Sequence, residues 1–180
     1  AASVWRMSKP NALVKRLQAV EALGQARIIA VDKTGTITKN EMMVGKIFAG
    51  GRLFEFGGSG YEPKGEVRFE GKAIDPANHP ELLLAGKIAA LSADARVSWD
   101  TEAKRWHVSG DPTEAALLVV AEKIGFHRED LERELPLIVD IPFDHQTKYH
   151  ASVYQFDNKQ FIAVAGAPES VLALSRHYLK

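Results

Sequence analysis

The sequence predicts an α+β fold in which a mostly antiparallel sheet is flanked by helices, preceded by one helix and one strand of different character. Three observations carry this. Apolar residues recur at helical spacing in NALVKRLQAVEALG, HPELLLAGKIAALSADA and GDPTEAALLVVAEKIG. Short apolar stretches broken by Gly and Pro fill the segments around 42–72 and 135–167, a pattern of strands and hairpins. A single run of β-type residues, RIIAVD, stands apart from them near the start. With 180 residues, 46% of them hydrophobic and 26% charged, the chain is long and apolar enough to bury a core, which excludes disorder as its main state.

Taken in order, Leu13, Leu17, Val20 and Leu23 line one face of a first helix that stops at Gly24. RIIAVD, residues 27–32, then reads as a buried parallel strand running into the polar loop DKTGTITKN. A boundary is expected near residues 39–42, where the character changes to antiparallel hairpins. In that stretch Gly57, Gly58 and Gly60 do not lead into a helix and read as a hairpin turn rather than a phosphate cradle. Leu82, Leu83, Ile88 and Leu91 give the next helix its apolar stripe, and residues 96–109 alternate as a hairpin. The helix that follows has Asp111 as N-cap, Pro112 at its first position, Glu114 closing a variant capping box, and Gly125 as its stop. Its apolar side reads as core. Residues 128–134 read as a solvated, mixed-charge helical face. LPLIVDIPFD, KYHASVYQF and KQFIAVAGAP are predicted strands, and PESVLALSRHYLK a final helix begun by Pro168.

Composition excludes several function classes. Lys plus Arg and Asp plus Glu both number 23, so no net field draws nucleic acid or anionic lipid. There is no cysteine, hence no disulfide framework, thiolate metal site or cysteine nucleophile, and a reducing compartment fits. The longest apolar run, Ala115 to Ala121, falls short of the ~20 residues of a membrane span. No apolar signal core opens the chain. The six histidines show no ligand spacing and read as scattered surface residues. No G-x-x-x-x-G-K-[ST] motif is present, so any nucleotide must be held by other means than a P-loop.

The strongest chemical signal is Asp32-Lys33-Thr34-Gly35-Thr36-Ile37-Thr38. A carboxylate at the carboxyl end of a parallel strand lies where open α/β sheets bind ligands. An aspartate there can accept a phosphoryl group as an aspartyl-phosphate. Lys33 supplies charge beside the transferring oxygens, Gly35 permits close backbone approach, and the threonines add hydroxyls.

DKTGTITKNEM resembles the phosphorylation motif of P-type cation-transporting ATPases. NALVKRLQAVEALG, GSGYEPKGE, GDPTEAAL, IPFDHQTKYH and AGAPE resemble further segments of that family, in the family's order and across nearly the whole chain. The likeness is to the branch that contains calcium and sodium/potassium pumps. It implies that residues 1–40 are the N-terminal piece of a phosphorylation (P) domain, with one strand of an incomplete Rossmann-like sheet. It implies that residues 41–180 are the nucleotide-binding (N) domain. Asp32 then matches the phosphorylated aspartate and, with the Thr34 carbonyl, a magnesium ligand. Related phosphatases carry a second Asp at the position of Thr34, a general acid/base that hastens turnover. Its lack here implies a long-lived phospho-Asp32, which suits a pump.

The same resemblance implies an ATP site. Phe143 matches an adenine-stacking aromatic, Lys148 a basic residue that reaches the nucleotide, and Glu114 an acidic residue near the adenine edge. Without the family match, the three read as a core strand Phe, a solvated Lys and half of a capping box. Asp111 reads as a cap rather than a ligand. In AGAPE the family's usual Lys is Ala165, while Gly166 still permits close approach of adenine. A lost charge-assisted contact is worth about 1.5–3 kcal/mol, roughly tenfold to a hundredfold in affinity.

The implied partners are the remaining P, actuator and transmembrane domains of a parent pump, which makes this a cytoplasmic part of an integral membrane protein. The parent is expected to couple ATP hydrolysis to cation transport through phospho-Asp32. The Thr-Gly-Glu loop and Gly-Asp-Gly-x-Asn-Asp magnesium site of such pumps are not among the 180 residues. The chain is therefore expected to fold largely through residues 42–180, to be monomeric, and to bind adenine nucleotide weakly without turnover. Its lone strand is expected not to stand ordered without a partner. Two alternatives remain: a non-catalytic module with a degenerate nucleotide site, and a capped phosphohydrolase with an aspartate nucleophile.

Overall fold

A computed structural model describes residues 5–7, 9 and 13–177, apart from the side chains of Leu17 and Ala19. The chain forms two compact units, residues 1–40 and residues 41–180.

In the first unit, helix α1 spans Leu17–Gly24 and ends on Gln25, whose N–H donates to Ala22 O while Ala26 N–H donates to Leu23 O. Asn11 and Ala12, where the predicted helix begins, lie outside the described residues. The predicted strand over 27–32 does not form. These residues make no ladder, and Ile28 and Ile29 stand 88% and 82% exposed. The correction has a simple cause. A strand is defined by backbone pairing, and β propensity alone cannot satisfy its N–H and C=O groups.

The second unit is built from three antiparallel sheets and four longer helices. Strands β1 (Lys46–Ala49), β2 (Arg52–Phe56), β3 (Val67–Phe69) and β4 (Lys72–Ile74) form a meander in sequence order. Two-residue turns at Gly50–Gly51 and Glu70–Gly71 close its first and last hairpins, all four residues having positive φ, as such tight hairpins require. The register sets Phe54 beside Ile47 and Phe69, and Val67 beside Ile74. The Gly-rich stretch forms the base of the connection from β2 to β3, where Gly57 N–H donates to Glu66 O and Lys123 Nζ donates to Gly57 O.

A short 3-10 turn, Pro76–Asn78, is capped by Asp75 and leads into α2 (Pro80–Leu91). The hairpin β5 (Arg96–Asp100) and β6 (Arg105–Ser109) follows, with Trp99 opposite Trp106 edge to face. Helix α3 (Pro112–Ile124) starts at Asp111 and stops at Gly125, whose φ of 109° is the left-handed cap that glycine best adopts. Helix α4 (Arg128–Glu134) buries Leu131 and leaves most of its charged residues in solvent.

The third sheet has β8 (Tyr149–Phe156) between β7 (Leu137–Ile141) and β9 (Lys159–Gly166). Helix α5 (Pro168–Leu174) ends well before the predicted limit, and residues 178–180 of that prediction lie outside the described residues.

One core joins these parts. Phe54, Phe56 and Val67 of the first sheet meet Leu82, Ala90 and Leu91 of α2, Val120 and Ile124 of α3, Leu131 of α4, and Tyr154 and Ala163 of the third sheet. A satellite cluster of Tyr61, Ala95, Ala115 and Val119 seats the β5–β6 hairpin on α3. Alternation along β8 and β9 turns His150, Ser152 and Tyr154, with Ala163 and Ala165 opposite, toward one face. On the other face Val139, Ile141 and Ile162 remain exposed.

Candidate functional site

Two ends of secondary structure build the candidate site: the start of α3, and the end of the third sheet where β7 leads into β8 and β9 stops. At the first, Asp111 Oδ1 accepts from the N–H groups of Thr113 at 2.7 Å and Glu114 at 3.4 Å, as an N-cap should. Glu114 does not complete the expected capping box. Its Oε2 accepts from Asp94 N–H, 2.9 Å away at the far end of α2, and Oε1 lies 4.0 Å from His150 Nδ1. The tertiary fold has drawn this carboxylate from its own helix toward the sheet.

At the second end, residues 142–148 form the connection from β7 to β8. Asp144 folds it locally: Oδ1 accepts from Gln146 and Thr147 N–H, and Asp144 O accepts from Lys148 N–H. The Thr147 and Gln146 N–H groups hold the Asp144 carboxyl below the usual carboxylate range. Phe143, at the start of this loop, is 52% exposed and touches the His145 ring edge to face at 5.4 Å. Lys148 closes the loop in a left-handed conformation, φ 59°, with Nζ 3.5 Å from Glu169 Oε1 at the start of α5.

The register of β8 and β9 then brings the AGAPE residues to this end. Tyr149 pairs with Gly166 and His150 with Ala165, while Ala167 N–H donates to Lys148 O. A Cβ on Gly166 would stand 2.4 Å from Lys148 O and 2.6 Å from Tyr149 Cα. The missing side chain is what lets β9 close against β8 here. Gly166→Ala is therefore expected to destabilise the protein by about 1–3 kcal/mol. A urea midpoint unchanged from wild type would contradict that.

So the fold gathers Lys148, Ala165, Gly166 and Glu169 around one sheet end, and links Glu114 to Ala165 through His150. Phe143 shares the loop with Lys148 but has no contact of its own with the others beyond that loop.

His150 departs most from the sequence reading. It is buried, as only four of the six histidines are exposed surface residues and His79 is half-buried. His150 Nδ1 lies 2.9 Å from Ser92 O, and Nε2 lies 2.9 Å from Asp140 Oδ1. Ser152 Oγ donates to the same Asp140 oxygen at 2.7 Å and lies 3.2 Å from His150 Nε2. Desolvation works against the Asp140 charge. The hydrogen bonds from Ser152 and His150, with the charges of His150 and Arg128, outweigh it and hold the carboxyl below its ordinary range. Ser152, His150 and Asp140 are the residue types of a nucleophilic triad, yet they are not arranged as one. The hydroxyl points its proton at the carboxylate, not the imidazole, and lies buried. Only side-chain burial distinguishes such a histidine from a surface one, so no sequence signal marked it.

Asp32 belongs to the first unit. The DKTGT segment is an exposed turn in which Lys33 O accepts from Ile37 and Thr38 N–H, with Gly35 at φ 76°. Asp32 is exposed there. No three acidic or imidazole groups gather to hold a metal ion among the described residues. Asp32 and the Thr34 carbonyl provide two oxygens, and magnesium asks for near-octahedral coordination. These residues do not by themselves make a magnesium site, and no chemical step is derived through that ion.

The second unit is an α+β domain whose loops and strand ends present Phe143, Lys148 and Glu169 outside the core. The family follows from comparison with known proteins. A family model described as "P-type ATPase, cytoplasmic domain N" matches residues 82–180, more than half of the chain, and the chain belongs to that family. It is 40% identical over 180 residues to "Cation-transporting ATPase pma1" of Synechocystis sp., covering 96% of this chain and 19% of the relative. It is 37% identical over 173 residues to "Calcium-transporting ATPase" of Bacillus subtilis, again 96% and 19%. With "Calcium-transporting ATPase type 2C member 1" of Bos taurus it shares 34% over 183 residues, 99% of this chain and 18% of the relative. The chain thus spans about a fifth of the length of these curated relatives. Among the described residues no helix is long and apolar enough to cross a membrane.

Proposed function

We propose that the second unit binds adenine nucleotide for a cation-transporting P-type ATPase, and that Asp32 of the first unit accepts the phosphoryl group in the whole protein. The observation that carries the reading is the β8–β9 register. It sets Lys148 against residues 166–169 and His150 against Ala165, at the sheet end entered by the Phe143 loop. Phe143 offers a face for the purine, Lys148 a charge for phosphate, Glu114 an acceptor for the base edge, and Gly166 with Ala165 a close-lying wall.

In the whole protein, an Asp32 carboxylate oxygen attacks the terminal phosphorus of ATP. The bond from that phosphorus to the bridging oxygen breaks, and ADP leaves with the electron pair. Lys33 lies next to Asp32 in sequence and offers positive charge to the transferring oxygens. Thr34, which cannot act as a carboxylate general base, leaves the acyl-phosphate long-lived enough to drive a conformational change. Coupling to cation movement, the P, actuator and transmembrane parts, a cytoplasmic placement and a role for magnesium with ATP all follow from the same family reading.

Titration of the chain with ATP and with ADP, by calorimetry or amide NMR, tests nucleotide binding. Weak binding is expected, with shifts concentrated in residues 142–148 and 165–169. Ala165→Lys is expected to tighten it by about tenfold through a charge-assisted contact. A flat response at millimolar nucleotide would leave a non-binding module in place of an ATP site.

A further inference from the structure

We infer that His150 is the positioning cation of the candidate nucleotide face: an imidazolium clamped behind Glu114 and Asp140, which it neutralises so that an anionic nucleotide can approach. The inference rests on the nucleotide reading above and adds a residue to it. The nearest oxygen to each ring nitrogen is an acceptor, the Ser92 carbonyl at Nδ1 and the Asp140 carboxylate at Nε2, both at 2.9 Å, while the Ser152 hydroxyl, 3.2 Å from Nε2, gives its proton to Asp140. A neutral imidazole carries one N–H and would set a lone pair against one of them. The doubly protonated ring satisfies both.

The surroundings make that charge consequential. Glu114 faces Nδ1 from α3 at 4.0 Å and Asp140 faces Nε2 from β7. Ser152 and Tyr154 lie on the same face of β8, and Tyr154 OH donates to Leu91 O at the end of α2. Beyond Ser92, Asp94 gives its N–H to Glu114 and its carboxylate to Arg128 of α4, 3.5 Å away. Arg128 also acts on Asp140. From β9 the facing residue is Ala165, which brings no charge. Without a proton on both nitrogens, Asp140 would keep only the Ser152 hydroxyl and the Arg128 charge, and Glu114 only the Asp94 N–H, with no cation between the two carboxylates. The ring itself is buried and acts through those carboxylates.

Two measurements on the 180-residue chain decide this. In nitrogen-15 NMR of the imidazole, both His150 nitrogens are expected to carry protons under the conditions of the ATP titration. His150→Gln is expected to weaken ATP about tenfold, and adding Ala165→Lys, which restores a cation directly across the β8–β9 ladder, to recover most of that loss. Ala165→Lys should help more in that background than in wild type. A merely structural histidine would show no such rescue. A neutral ring overturns the inference, and so does ATP binding that is lost with Lys148→Ala yet unchanged by His150→Gln. If His150→Gln does not fold, the wild-type NMR still decides. A wild-type chain that binds no ATP overturns the nucleotide reading itself, and this role with it.

Discussion

Phe54→Ala is expected to remove about 3–5 kcal/mol of stability, the usual cost of deleting a phenyl ring from a closed core. Phe54 is 0% exposed. Its ring lies 5.4 Å from that of Phe69 and 5.3 Å, edge on, from His79. It also joins β2 to α2 within the main core, so the gap cannot collapse without shifting a sheet and a helix together. Urea unfolding followed by circular dichroism gives the test. A loss under about 1 kcal/mol would mean that the first sheet does not depend on this ring. For the part of the protein that stays folded, nucleotide affinity should match wild type, because Phe54 belongs to the first sheet and not to the third, whose end carries the candidate site.

Phe143→Ala should do the reverse. The ring is half exposed and its one ring contact is the edge of His145, so stability is expected to stay within about 0.5 kcal/mol of wild type. ATP binding, in contrast, should fall tenfold to a hundredfold, because stacking of a base on an aromatic ring is worth about 1–3 kcal/mol. From an affinity that is already weak, that loss takes binding below detection. Calorimetry beside a melting curve separates the two effects. Unchanged ATP affinity would remove Phe143 from the site, and a large drop in melting temperature would make it a core residue after all.

These two phenylalanines stand in similar local sequence, each among apolar residues of predicted strand character. The local difference is small: Phe143 stands between Pro142 and the polar run Asp144 to Lys148, and Phe54 within RLFEF. Phe54 is closed over by α2 and β3, elements 26 and 13 residues further along the chain at their starts. Phe143 falls just past the last paired residue of β7, Ile141 opposite Ala151, and so on a loop. Burial is a property of what arrives from elsewhere, which local pattern does not contain.

The same division runs through the candidate site. The start and stop of α3 were legible because capping is local: Asp111 bonds amides two and three residues on, and Gly125 needs only its own backbone freedom. The hairpins and the three strands of the last sheet were legible from period and breakers. The DKTGT turn was legible because its hydrogen bonds close within residues 33–38. RIIAVD has the composition of a strand, but a ladder needs a second chain segment, and among the described residues none pairs with it.

What the sequence alone determined, then, was the order and type of most elements, with the Asp111 and Gly125 caps, and the residues proposed to bear on phosphate and nucleotide. The tertiary structure decided which of those residues meet. It sent Glu114 to Asp94 rather than to its own cap, set Ala165 opposite His150, and buried that imidazole between Ser92 and Asp140. The physical reason is range. Helix caps, turns and alternation are settled by atoms a few residues apart. A buried imidazole is satisfied only where partners 10 to 58 residues distant converge on it.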